Sequence, residues 1–186
     1  MTLLPAGRTR DEVDLYLELH PCTRCGSMEA AWTATATTRG ARPAYRCSGR
    51  CAGCHGQREF LFALPEGRTA PADAGPHPRS RFGGPQPSAL LDPGEWLLVA
   101  DWCAEAAEVA ERQGDEAEAA DLLWTAVAAL EEVRKFLPEA GDAVPEAAFW
   151  STRGRTVYQR EPGRFRRRRI EVVRDFHLDH MPWSPA

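Results

Sequence analysis

Two short cysteine pairs constrain this chain more than any other feature. They read Cys22-Thr23-Arg24-Cys25-Gly26 and Cys51-Ala52-Gly53-Cys54-His55-Gly56, with 25 residues between Cys25 and Cys51. A two-residue spacer lets the backbone turn tightly, so both thiolates face one ion while backbone N–H groups point at the sulfurs. A glycine after the second cysteine permits the positive φ that such a turn needs. Two such turns supply four sulfurs at about 2.3 Å from a tetrahedral Zn²⁺. The spacing therefore predicts Cys22, Cys25, Cys51 and Cys54 as metal ligands, with room for strands between the turns.

Other uses of these cysteines fit less well. The first residues, Met1 to Arg8, lack the apolar core of roughly 7–15 residues that marks a secretory signal. A cytoplasmic, reducing location is expected, and it disfavours disulfides. Redox Cys-x-x-Cys motifs usually occur singly, at a helix start after a strand. Four thiolates leave no open position for water, so the expected Zn²⁺ is structural. Cys47 can take the place of Cys51, and His20 and His55 flank the turns as alternative ligands. Cys103 lies in an apolar helical stretch and reads as a small buried residue.

Around the turns, Thr9 to Leu19 reads as a helix opened by a Thr9/Glu12 capping box and ending near His20-Pro21, with a strand as the alternative because Val13, Leu15, Leu17 and Leu19 alternate. Ala31 to Thr38 and Ala41 to Arg46 read as strands joined by Arg39-Gly40. Gln57 to Leu64 alternates as a third strand, with Phe60 and Phe62 on one face. Over residues 20–64 this pattern resembles the zinc-ribbon superfamily, and the resemblance carries Cys22, Cys25, Cys51 and Cys54 onto its ligand positions. A ribbon of three strands would have almost no core of its own, and Phe60 and Phe62 are expected to pack on the helix or on another domain.

Residues 65–91 are rich in Pro and Gly and read as a linker. Beyond it, Asp92-Pro93-Gly94-Glu95 is a helix start. Trp96, Val99, Ala100, Cys103, Ala106, Ala107 and Ala110 recur at helical spacing as far as Gly114. A second helix follows Asp115 and runs to Pro138. The turn Ala110-Glu111-Arg112-Gln113-Gly114-Asp115-Glu116-Ala117-Glu118-Ala119, with Ala126, resembles one tetratricopeptide repeat over about residues 96–138. No second copy follows, so the resemblance implies a helix hairpin of that style and not a peptide-binding array. Trp96, Trp102 and Trp124 are expected in its core.

The net charge of −4 is unevenly spread. Residues 1–90 carry 11 Arg and 8 acids, residues 91–146 carry 3 basic and 15 acidic residues, and residues 147–186 carry 9 Arg and 4 acids. Val144-Pro145-Glu146 is expected to open a further helix, and residues 164–179 to form the last, with Phe165, Val172, Val173 and Phe176 on one side. Arg164, Arg166, Arg167, Arg168 and Arg169 crowd the start of that last helix, where the peptide dipoles are already positive. The acidic hairpin is the nearest compensation. Nucleic-acid phosphates or an acidic protein partner are the alternatives.

The expected class is α+β: a short helix and zinc ribbon (1–64), a linker (65–91) and a helical domain (92–180). Phosphate loops, nucleophile elbows and His-Glu protease motifs are missing from the sequence. The expectation is a non-enzymatic, zinc-stabilised cytoplasmic module that recognises another protein. A nucleic-acid-binding regulator using the ribbon and the Arg cluster is the alternative, opposed by the acidic segment. In layout the chain resembles small actinobacterial proteins, and small bacterial proteins of this make-up include adaptors and toxin-neutralising immunity factors.

Overall fold

A computed structural model describes residues 2–65, 67–73 and 81–181. It divides into two compact units, with the boundary after Ala74. The fold class is α+β, as expected.

The N-terminal unit contains helix α1 (Arg10–Leu19) and a four-stranded sheet of order β1-β4-β3-β2. Strands β2 (Ala30–Arg39) and β3 (Arg42–Cys51) form a regular antiparallel hairpin, closed by the pair Arg39–Arg42. Its turn is Gly40-Ala41, one residue later than predicted, because Gly40 takes the positive φ of +61°. Strand β4 (Gln57–Ala63) pairs antiparallel with β3. The fourth strand, β1 (Leu3–Leu4), was not foreseen and lies parallel to β4, with Leu3 opposite Leu61.

Helix α1 begins at Thr9, whose hydroxyl accepts from the Glu12 N–H. The reciprocal half of the expected capping box is shifted. Glu12 reaches back to the Arg8 N–H at 2.6 Å and ion-pairs with the Arg8 guanidinium, so a fully buried carboxylate is satisfied. The strands have little core of their own, and α1 supplies the layer they pack against. Val13, Leu17 and Leu19 of α1 are buried, as are Ala44, Cys47, Leu61, Phe62 and Leu64. Tyr16 meets the rings of Phe60 and Phe62 edge-on, so both phenylalanines pack on the helix.

The C-terminal unit contains α2 (Pro93–Gln113), α3 (Glu116–Arg134), α4 (Thr152–Arg160) and α5 (Arg167–Asp179). Helix α2 has the predicted start: Asp92 caps Gly94 and Glu95, Glu95 returns a bond to the Asp92 N–H, and Pro93 is the first helical residue. Gly114, at φ +80°, ends it. Helix α3 ends at Arg134, short of Pro138, and Phe136 lies in the turn that follows. Alanines 100, 107, 110, 119, 126, 128 and 129 are buried, and their small size lets the hairpin helices approach closely around Trp96, Val127, Leu130 and Val133. Trp102 departs from the core expectation: it is 45% exposed. Within the expected linker, Phe82 is buried against Trp96, with ring centroids 4.8 Å apart, so this stretch belongs to the helical unit.

The region after Pro138 differs from the prediction in two places. Residues Glu146–Ala148 form only a 3₁₀ turn, and α4 starts at Thr152 because Ser151 accepts from the Gly154 N–H. A second 3₁₀ turn, Pro162–Phe165, precedes α5, so Phe165 is buried from that turn and Ile170 is the buried anchor of α5. Val172 and Phe176, expected to face inward, are 52% and 56% exposed. Gly154 is required by a close approach. A methyl group there would stand 1.9 Å from Asp92 Oδ1.

Candidate metal centre

The sheet brings the two cysteine turns to one end. Cys22–Gly26 lies between α1 and β2, Cys51–His55 lies between β3 and β4, and the registers Ala30–Cys51 and Arg50–Gln57 set both beside the same strand ends. The turns are built alike. The Cys22 carbonyl accepts from the Gly26 N–H at 2.8 Å, and the Cys22 N–H donates to the Ser27 carbonyl at 2.8 Å. The Cys51 carbonyl accepts from the His55 N–H at 2.9 Å, and the Cys51 N–H donates to the Gly56 carbonyl at 3.0 Å. The residue after the second cysteine has φ +75° in Gly26 and +56° in His55. In the first turn glycine takes this position, as expected; in the second it falls to His55, and Gly56 follows it.

Four sulfurs converge. Cys22 Sγ lies 3.6 Å from Cys54 Sγ, Cys25 Sγ lies 3.5 Å from Cys51 Sγ, and all four are within 4.8 Å of one another. A tetrahedron with metal–sulfur bonds of about 2.3 Å has edges of about 3.8 Å, so the cluster fits one such ion. A disulfide needs about 2.05 Å, and all six cysteines are free thiols. Among the described residues no other group of three or more His, Cys, Asp or Glu side chains converges in this way.

Backbone N–H groups tune the thiols. The Arg24 N–H, aided by those of Cys25 and the Cys54 thiol, pulls the Cys22 thiol below its ordinary range. The Cys54 and Gly53 N–H groups, with the Cys25 thiol, bring Cys51 down to about 6. The Ser27 N–H favours the Cys25 thiolate, but the Cys51 sulfur, burial and the other two thiols outweigh it and push Cys25 up to about 12. Cys22 and Cys51 predisposed to ionise beside a Cys25 that is not is what a crowded sulfur cluster gives before a cation balances it.

The alternatives fall away from the centre. Cys47 lies in mid-β3 opposite Ala34 and Phe60, buried, and burial pushes its thiol up to about 12. His20 Nδ1 bonds to the Tyr16 carbonyl at 2.7 Å, and the two rings stack at 3.8 Å. His55 supplies backbone to its turn. Cys103 sits on α2, half-buried.

One supporting residue was missed in the sequence. Arg58 is only 7% exposed and donates to the carbonyls of Met28 (3.2 Å) and His20, tying the first cysteine loop to β4. Its guanidinium lies 4.8 Å from the Trp32 ring centroid. The signal was its parity: Arg58 shares the strand face of Phe60 and Phe62.

The Arg cluster divides. Arg164 makes a two-pronged ion pair with Asp101 of α2 at 2.5 and 2.8 Å. Arg167 donates to the carbonyls of Pro138 (2.7 Å) and Gly141 (2.9 Å). Arg166, Arg168 and Arg169 stay exposed around a cavity of about 290 Å³ beside Val172. Internal pairing thus accounts for part of the cluster. His177 and His180 line a separate cavity of about 190 Å³ with Glu108 and Glu111.

No family model, curated protein or solved structure matches this chain. The zinc-ribbon and tetratricopeptide resemblances rest on its own residues alone, and the resemblance to actinobacterial proteins has no match behind it. Among the described residues no helix is long and apolar enough to cross a membrane.

Proposed function

We propose that this chain is a non-enzymatic protein-interaction module of the cytoplasm, its N-terminal unit held by one structural Zn²⁺ on Cys22, Cys25, Cys51 and Cys54. The observation that carries the metal reading is the convergence of four sulfurs within 4.8 Å. An all-thiolate donor set is soft and selects zinc over hard cations such as Mg²⁺ or Ca²⁺. Four protein ligands fill a tetrahedral ion, so its part is to fix the turns and not to activate water. The acids of α2 and α3 lie largely on an exposed face, as solvation alone requires. An adaptor or toxin-neutralising role is the kind of protein recognition this reading reaches.

A second reading is favoured by one observation. Arg166, Arg168 and Arg169 are exposed, with no ion-pair partner among the described residues, which suits nucleic-acid phosphates. Against it stand the 15 acids of residues 91–146, whose field repels phosphate.

Elemental analysis of the purified chain should find about one zinc per molecule, and Cys25→Ser should lose it. Zinc retained in that variant would overturn the ligand assignment. A salt titration with DNA and RNA separates the two readings. Tight binding that weakens steeply with salt, and vanishes when Arg166, Arg168 and Arg169 become Ala, would replace the first reading by the second.

A further inference from the structure

Strand β2 is an open edge of the sheet: it is the last strand in the order, and among the described residues nothing pairs with its outer side. It runs ten residues without a bulge, pairing one-to-one with β3 from Ala30–Cys51 to Arg39–Arg42. Most of it is exposed, including Ala31, Thr33 to Ala36, Thr38 and Arg39. Edge strands are normally guarded by proline, inward charges, bulges or brevity. Ala30 to Thr38 has none of these.

The outward-facing groups can be identified. In an antiparallel ladder alternate residues exchange hydrogen bonds with the neighbour, and those between them turn N–H and C=O the other way. The Ala52 N–H donates to the Glu29 carbonyl at 3.0 Å, in line with the β2–β3 register, so the odd-numbered residues face β3. Ala30, Trp32, Ala34, Ala36 and Thr38 therefore present their backbone donors and acceptors to the open edge.

We propose that this edge pairs with β2 of a second copy of the chain, antiparallel about a two-fold axis at Ala34. Two-fold strand pairing must place opposed side chains on one face, so the axis passes through a residue and not between two. An axis at Ala34 sets Glu29 of one copy opposite Arg39 of the other, at both ends of the seam. Both side chains are exposed, and neither has an ion-pair partner among the described residues. Moving the axis one residue either way leaves both charges unmatched. The same register sets Thr33 opposite Thr35, a favourable cross-strand pair, in the non-hydrogen-bonded sites where side chains come closest. The five outward residues of each copy then exchange their hydrogen bonds, and the two sheets become one of eight strands.

This contact goes beyond the metal reading and does not depend on which ion the thiolates hold. Zinc content measured on the same samples distinguishes failure of one from failure of the other. The test is sedimentation of the full-length chain across the micromolar range. The wild type is expected to be a dimer. Arg39→Glu sets carboxylates opposite each other and should weaken dimerisation at least about tenfold, and adding Glu29→Arg to it should restore it. Ala34→Pro, which removes an outward N–H at the axis, should give a monomer with unchanged zinc content. A wild type that stays monomeric throughout overturns the proposal. So does a charge-swapped double variant no tighter than Arg39→Glu alone, which would mean that another surface or another strand occupies the edge.

Discussion

The two units hold their shape by different means. The N-terminal unit sets one ten-residue helix on a small sheet and gathers four sulfurs at the sheet's end. The C-terminal unit joins helices of 21 and 19 residues through faces rich in buried alanine, and satisfies its buried carboxylates with N–H groups and cations. Long helices bury enough surface to fold on packing and caps. A short sheet with two sharp loops does not, and there ligation substitutes for burial. The lesson is that the concentration of chemistry in one unit answers a shortage of core as much as a need for function.

The largest test of this contrast is metal removal. Chelation, or Cys51→Ser, should unfold the N-terminal sheet, since structural zinc sites supply on the order of 10 kcal/mol. The helical circular dichroism of residues 93–179 should persist. Simultaneous loss of both signals would break the contrast. The reciprocal perturbation is next in size. Trp96→Ala removes a fully buried ring and should cost the helical unit about 3–5 kcal/mol in denaturant melts, with zinc content unchanged.

A smaller effect sharpens the comparison through pH. Burial, then the Asp92 carboxylate, pushes Glu95 up from 4.5 to about 7. Because the folded value lies above the unfolded one, this contribution is complete below about pH 4.5 and is lost as pH rises through 7. It amounts to a few kcal/mol at most, at about 1.4 kcal/mol per pKa unit. Glu95→Gln should flatten the stability slope of the helical unit over that window. Identical slopes for wild type and variant would remove Glu95 as its source.

The sequence made the cysteine turns and the α2–α3 hairpin legible because each rests on a local rule: a fixed ligand spacing, or a helical period bounded by caps. Thr9, Asp92 and Gly114 set helix ends through bonds within a few residues. What remained hidden depends on distant contacts. Leu3–Leu4 is too short to read as a strand without β4 beside it. Arg58 is a lone cation in a strand until the His20 and Met28 carbonyls are brought to it. Val172 and Phe176 have helical spacing, but Ile170 takes the buried side and leaves them outside. The Arg cluster could be counted but not apportioned, because Asp101 lies 63 residues from Arg164.

Asp92 serves two helices at once. Its Oδ1 accepts from Gly94 and Glu95 at the start of α2, and its Oδ2 accepts from Ser151 at 2.8 Å, the residue that caps α4. The first turns of these helices thus share one carboxylate across a sequence separation of 59. Fraying at either end releases the other, so their amide protons should exchange with solvent as a single cooperative group, and a protease that opens one start will find the second already loosened.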